Sequence, residues 1–194
     1  MTKEIREAIN QSVKLKVKIL NDEAILRLVA HAADIITRAL QTGHRVLFCG
    51  NGGSAADAQH LAAELSGRFY LERKAINAEA ININIPFLTA VSNDYNFEYS
   101  YARYLEGAAK NGDVLILLST SGNSANIVKA AEYARNNGIF TITLTGKTGG
   151  KLARLSDITI LIPSDDTPRI QEVHMLLGHC ICEIVEKNIF EGGK

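Results

Sequence analysis

Apolar positions recur along this chain with two different periods. Residues 3–20 place Ile5, Ile9, Val13, Val17 and Leu20 at helical spacing, and residues 22–42 repeat the habit with Ile25, Leu28, Val29, Ala32, Ile35, Ile36 and Leu40, stopped by Gly43. Short, largely apolar and β-branched runs then take over at 45–49, 78–85, 113–119, 139–145 and 157–163, and each reads as a strand. Helical stretches are predicted at 54–67, near 98–109, at 124–137 and 149–155, and from about 168 to 190. β-branched runs separated by helices imply an α/β architecture, a doubly wound five-stranded parallel sheet covered on both faces. No linker or composition shift divides residues 1–194, so one domain is expected, with 1–43 as additional N-terminal helices and 44–194 as the α/β core.

In the flavodoxin-like order 2-1-3-4-5, the first and third strands are neighbours and ligands bind at their carboxyl ends. The first strand ends in "GNGGS" (50–54) and the third in "STSGNS" (119–124), so both loops are expected to face one crevice. Hydroxyls and free N–H groups at a helix start attract an anion. One residue suffices to cap a helix, whereas Ser119, Thr120, Ser121 and Ser124 crowd this junction, which favours a phosphate site. No lysine follows the glycines, which excludes a triphosphate P-loop. "GNGGSA" also fits the dinucleotide fingerprint, but the second run ends in Asn84 and Ile85 without the acid that would hold a ribose.

Behind the glycine loop, His60 and Glu64 lie four residues apart on one helical face. Such a pair is often only a mild surface contact. In the last helix, Gln171, His174 and His179 interrupt an apolar run, and buried polar groups need partners. Two imidazoles and a carboxylate suit a divalent metal such as zinc.

Composition narrows the classes. Lys plus Arg and Asp plus Glu are both 21, so no basic surplus points to nucleic acid. No run reaches the length of a membrane span, and the N-terminus lacks a signal-peptide pattern. Cys49, Cys180 and Cys182, odd in number and set in apolar stretches, suit reduced thiols and a cytoplasmic protein.

The blocks "CGNGGSAADAQHLAAELSGRF", "NDYNFE", "STSGNS" and "PSDDTPRIQEVHMLLGH" closely resemble the phosphoheptose isomerases, the sedoheptulose 7-phosphate isomerases of the sugar-isomerase (SIS) fold family, over about residues 20–190. The resemblance implies an aldose–ketose isomerase producing D-glycero-D-manno-heptose 7-phosphate for lipopolysaccharide or capsule synthesis. It implies a homotetramer with active sites at subunit interfaces. It further implies substrate contacts from Asn51, Gly52, Gly53, Glu64, Asn93, Asp94, Ser119, Thr120, Ser121, Ser124 and Gln171. One Zn2+ per subunit would be held by His60, Glu64, Gln171 and His179, with Glu64 and His179 as the catalytic pair. His174 lies in the motif outside that set and is assigned to packing or support. On one straight helix Gln171 and His179 stand about 12 Å apart along the axis, so sharing an ion needs long side chains, an irregular first turn or neighbouring subunits. A non-catalytic SIS relative, the replication-initiator-associating protein, is the alternative; its positions matching Glu64 and His179 lack the acid and the histidine. Ser92, where a glycine is common, and "AININIPFLTAV" (80–91) depart from the family pattern near the sugar site and bear on heptose stereochemistry.

Overall fold

The structure, a computed structural model, describes residues 1–192. Two helices, α1 (Thr2–Leu20) and α2 (Glu23–Gln41), precede β1 (Val46–Gly50) and α3 (Gly53–Ser66). Then follow β2 (Ala78–Ala80), α4 (Ile85–Asp94), α5 (Ser100–Ala108), β3 (Val114–Ser119), α6 (Ala125–Asn136), β4 (Phe140–Gly146), β5 (Ile158–Ile162) and α7 (Thr167–Phe190). All strand pairs are parallel, in the order β2-β1-β3-β4-β5. The expected order therefore holds: β2 is added on one side of β1 and β3 on the other, which places the switch point between β1 and β3.

Alternation along each strand feeds two cores. Val46 and Phe48 of β1, with Val114, Ile116 and Leu118 of β3, pack into the face covered by α1, α2, α3 and α7. Leu47, Cys49, Leu115 and Leu117 point the other way, toward α5 and α6. Cys49 and Cys182 are buried and Cys180 is half-buried, all as free thiols. Among the described residues no helix is long and apolar enough to cross a membrane.

Two elements differ from the sequence expectation. The run at 78–85 forms only three residues of strand before α4 begins, because Asn84 accepts a hydrogen bond from Phe87 N (3.1 Å) and Pro86 occupies the first turn. Proline there suits a helix start and cannot donate within a sheet. The helix expected at 149–155 shrinks to a single 3-10 turn, Leu152–Arg154, since Gly149 and Gly150 both adopt positive φ (70° and 55°). The stretch near 98–109 opens with a 3-10 turn, Phe97–Tyr99, before α5.

His174 sits fully buried on α7, and neither ring nitrogen has a hydrogen-bond partner. Burial pushes its pKa down from 6.5 to about 4, with a nearby Thr145 backbone group partly opposing the fall. The folded ring thus stays neutral where the unfolded ring takes a proton. This contribution to stability is complete above the unfolded value and drains away as the pH falls from 6.5 toward 4. By pH 5 the cost is about 2 kcal/mol. Urea unfolding at pH 7 and pH 5 should therefore show a larger acid loss for the native chain than for His174→Gln, and equal losses would contradict this assignment.

Candidate active site

At the end of β1 the chain turns through Asn51 and Gly52 into α3. Asn51 and the buried Asn126 exchange side-chain hydrogen bonds in both directions (2.8 and 2.9 Å). Tyr101 OH donates to Gly50 O (2.6 Å) and to Asn51 Oδ1 (3.1 Å). The glycine loop is thereby fastened to the start of α6, and the two loops at the ends of β1 and β3 become one rigid wall of the crevice. Asn51 Oδ1 accepts from both Asn126 and Tyr101 in this fastening, which leaves one amide N–H and the backbone to offer a ligand. Neither Asn126 nor Tyr101 was singled out by the sequence. Asn126 at least follows the serine cluster directly, whereas nothing local marks Tyr101.

The serine loop is shaped by its own hydroxyls. Gly122 N donates to Ser119 Oγ (3.2 Å) and Asn123 N to Ser121 Oγ (3.2 Å). Ser124 precedes α6 yet makes no capping hydrogen bond, which leaves its hydroxyl available. Beside the loop opens a cleft of about 250 Å³, lined by Thr120, Ser121, Asn123, Lys147, Asp165 and Thr167 among others. Lys147 and Asp165 form an ion pair at this cleft.

Farther along α3, His60 Nε2 lies 2.9 Å from Glu64 Oε1 and 3.3 Å from His179 Nε2 of α7. The histidine rings are 5.1 Å apart, and Phe69 packs 5.8 Å from the His179 ring. Gly178 permits this approach, since a Cβ there would fall 2.5 Å from Leu61 Cδ1 on α3. Asp57, one turn before His60, also escaped the sequence reading. Its Oδ2 is buried without a partner, and burial raises its pKa against the opposing charge of His60.

One ligand atom from each of His60, Glu64 and His179 lies within 4.8 Å of the others. A single His60 N–H can satisfy the carboxylate or the second imidazole, but not both. Two nitrogens bound to one tetrahedral zinc at 2.0–2.1 Å stand about 3.3 Å apart, and the observed imidazole separation is 3.3 Å. The donor set therefore fits a zinc-type ion.

Other expected site residues lie elsewhere. Gln171 turns its amide toward the start of α3, with Nε2 at 3.4 Å from Ser54 Oγ and against Gly53. α7 is helical throughout from Thr167, so Gln171 and His179 stand about 12 Å apart along its axis. Asn93 donates to Asp94 Oδ1 (2.9 Å); both are exposed at the end of α4.

A parallel sheet whose two polar loops meet at its switch point defines an α/β ligand crevice, and the family profile of the SIS domain matches residues 9–146. The chain is 47% identical over 186 residues to the phosphoheptose isomerase of Aneurinibacillus thermoaerophilus, covering 96% of this chain and 94% of that one. It is 50% identical over 165 residues to that of Helicobacter hepaticus, covering 85% and 84%. The solved phosphoheptose isomerase from Francisella tularensis superposes with a TM-score of 0.92 at 34% identity, over 96% of this chain and 98% of that one. The chain belongs to the phosphoheptose isomerases of the SIS family.

Proposed function

We propose that this protein interconverts D-sedoheptulose 7-phosphate and D-glycero-D-manno-heptose 7-phosphate through an enediol, serving heptose biosynthesis. Membership of the phosphoheptose isomerases supports the reaction, and the convergence of Glu64 with His179 through His60 is the observation that carries it. No feature favours the non-catalytic alternative, since the acid and the imidazole are both present.

The chemistry moves a proton between C1 and C2. Glu64, half-buried on α3, is the base that takes the proton from one carbon and returns it to the other. His179 moves protons on the sugar oxygens. Ser119, Thr120, Ser121 and Ser124 grip the phosphate with Gly52 and Gly53 nearby, and this remote binding energy fixes the reacting carbons. Gln171, placed against Gly53, is suited to a sugar hydroxyl, and Asn93 and Asp94 complete the proposed substrate contacts. One zinc per subunit, held by His60, Glu64 and His179, would supply Lewis-acid polarisation of the carbonyl when bound. Gln171, the fourth ligand the family resemblance implies, would have to leave Ser54 to reach it.

A cytoplasmic homotetramer with active sites between subunits is part of the same reading, with residues 1–194 as one SIS domain. Its support is the stripe Ile5, Ile9, Val13 and Val17 along α1, each about half-exposed or more, an unpaired apolar face on a surface helix. A stable monomer in sedimentation equilibrium would remove this part.

The direct test incubates purified protein with sedoheptulose 7-phosphate and follows products by NMR, with and without a chelator. Aldose heptose 7-phosphate should form, and chelation should lower the rate at least tenfold, restored by Zn2+. Absence of product overturns the reaction, and full activity in a metal-free preparation overturns the zinc.

A further inference from the structure

A buried polar network lies outside the residues assigned so far. Arg73 and Glu186 form an ion pair at 2.8 Å, with side chains only 2% and 1% exposed. Glu186, on α7 two turns beyond His179, accepts from the backbone N–H groups of Phe69 (3.2 Å), Tyr70 (2.9 Å) and Leu71 (3.1 Å). Arg73 donates through Nη2 to the carbonyl of Glu64 itself (2.9 Å), and through Nη1 to those of Leu65 (2.8 Å) and Gly67 (3.0 Å). The Glu64 and Leu65 carbonyls belong to the last turn of α3, where carbonyls have no partner within the helix, and Gly67 is its C-terminal cap. Phe69, held at its N–H by Glu186, lays its ring against His179.

Burial alone would raise the Glu186 pKa, but the backbone N–H groups and Arg73 outweigh it and hold the carboxyl below 4.5. The pair therefore stays charged at neutral pH. An apolar pair of similar volume would join these elements at least as stably, because burying two charges is expensive. What an apolar pair lacks is direction. The guanidinium fork fixes three carbonyls at the end of the helix bearing His60 and Glu64, and the carboxylate fixes three N–H groups to the helix bearing His179.

We propose that Arg73 and Glu186 are positioning residues of the isomerase, which set the placement of Glu64 relative to His179 by locking the end of α3 to α7 through residues 67–73. The inference rests on the isomerase reading above. A misplacement of about 1 Å at reacting groups costs on the order of a hundredfold in rate, whereas the phosphate grip at the serine loop is remote from this lock.

The test compares Arg73→Lys with Val185→Ala in the full chain. Lysine keeps a positive charge beside Glu186, but one ammonium cannot span the acceptors of both Nη atoms. Val185, fully buried next to Glu186, loosens α7 packing without removing any of these hydrogen bonds. Arg73→Lys should lower kcat on sedoheptulose 7-phosphate at least tenfold per folded molecule, with KM within about twofold. Val185→Ala should lower Tm comparably while kcat per folded molecule stays within about twofold. Should Arg73→Lys be too unstable to assay, Glu186→Asp, one methylene shorter, carries the same expectation. Failure of both to fold beside a folded Val185→Ala assigns the pair to stability alone and overturns the inference. An active native enzyme with unchanged kcat in Arg73→Lys also overturns it, whereas an inactive native enzyme strikes the isomerase reading instead.

Discussion

Glu64→Gln is expected to lower kcat by about 10²–10⁴-fold, the usual contribution of a positioned general base. The substitution keeps the shape and the capacity to accept from His60, and removes only the ability to take a proton. Glu64 is about one-quarter exposed, so no buried charge is left unpaired and the fold should persist. The Arg73 hydrogen bond to its backbone carbonyl is also untouched. Circular dichroism and Tm close to native, sugar-phosphate binding within a few-fold, and turnover near background make up the expected result. Because the carboxylate is also a proposed metal ligand, the variant should be assayed with saturating Zn2+ and its metal content measured. A fully loaded variant retaining more than a few percent of turnover would remove Glu64 as the base.

Gly122→Ala should cost about 3 kcal/mol or more. Gly122 holds φ at +64°, and an added Cβ would fall 2.1 Å from the backbone oxygen of Gly149. The left-handed backbone alone costs a non-glycine residue of order 1–3 kcal/mol, and the contact is with backbone, so no flexible side chain can swing away. Relief requires the serine loop to separate from the 149–150 turn, which is also hydrogen-bonded to it through Leu152 N to Gly122 O (3.1 Å). At this chain length each kcal/mol moves Tm by roughly 2–4 °C, so a fall of roughly 6–12 °C is expected. The phosphate grip should loosen with it, and KM should rise about tenfold or more. Native Tm and KM in Gly122→Ala would show that this loop neither carries strain nor grips phosphate.

These effects depend on features of unequal visibility in the amino-acid order. The central strands were legible because a strand buried on both faces is an uninterrupted apolar run, as in "VLILLS" (114–119). The switch point followed from them, since the hydroxyl-rich loop begins where such a run stops. The short second strand was not legible. "AININI" alternates like a strand, but the Asn84 cap and Pro86 convert its end into a helix. Two adjacent glycines likewise reduced an expected helix to one turn.

At the site, the His60–Glu64 pair was visible as an i, i+4 spacing, because one helix decides it. Its meeting with His179 depends on α3 and α7 packing at Gly178, a tertiary fact. The resemblance to a known family anticipated it, but spacing alone did not. The locks that hold these parts were invisible for the same reason. Asn51 and Asn126 are 75 residues apart, and Arg73 and Glu186 are 113 apart. Nothing local distinguishes a buried arginine that caps a helix from one on the surface. Polar groups that position a site are recognisable only when the fold shows which orphaned carbonyls and N–H groups they satisfy.

In the proposed mechanism Glu64 passes a proton between C1 and C2 of a heptose phosphate. Its most direct test is turnover of sedoheptulose 7-phosphate in D2O, followed by NMR. Aldose product should carry solvent deuterium at C2 to the extent that the Glu64 carboxyl exchanges before returning its proton, and both product and exchange should be lost in Glu64→Gln. Product formation or exchange that persists undiminished in Glu64→Gln would contradict it.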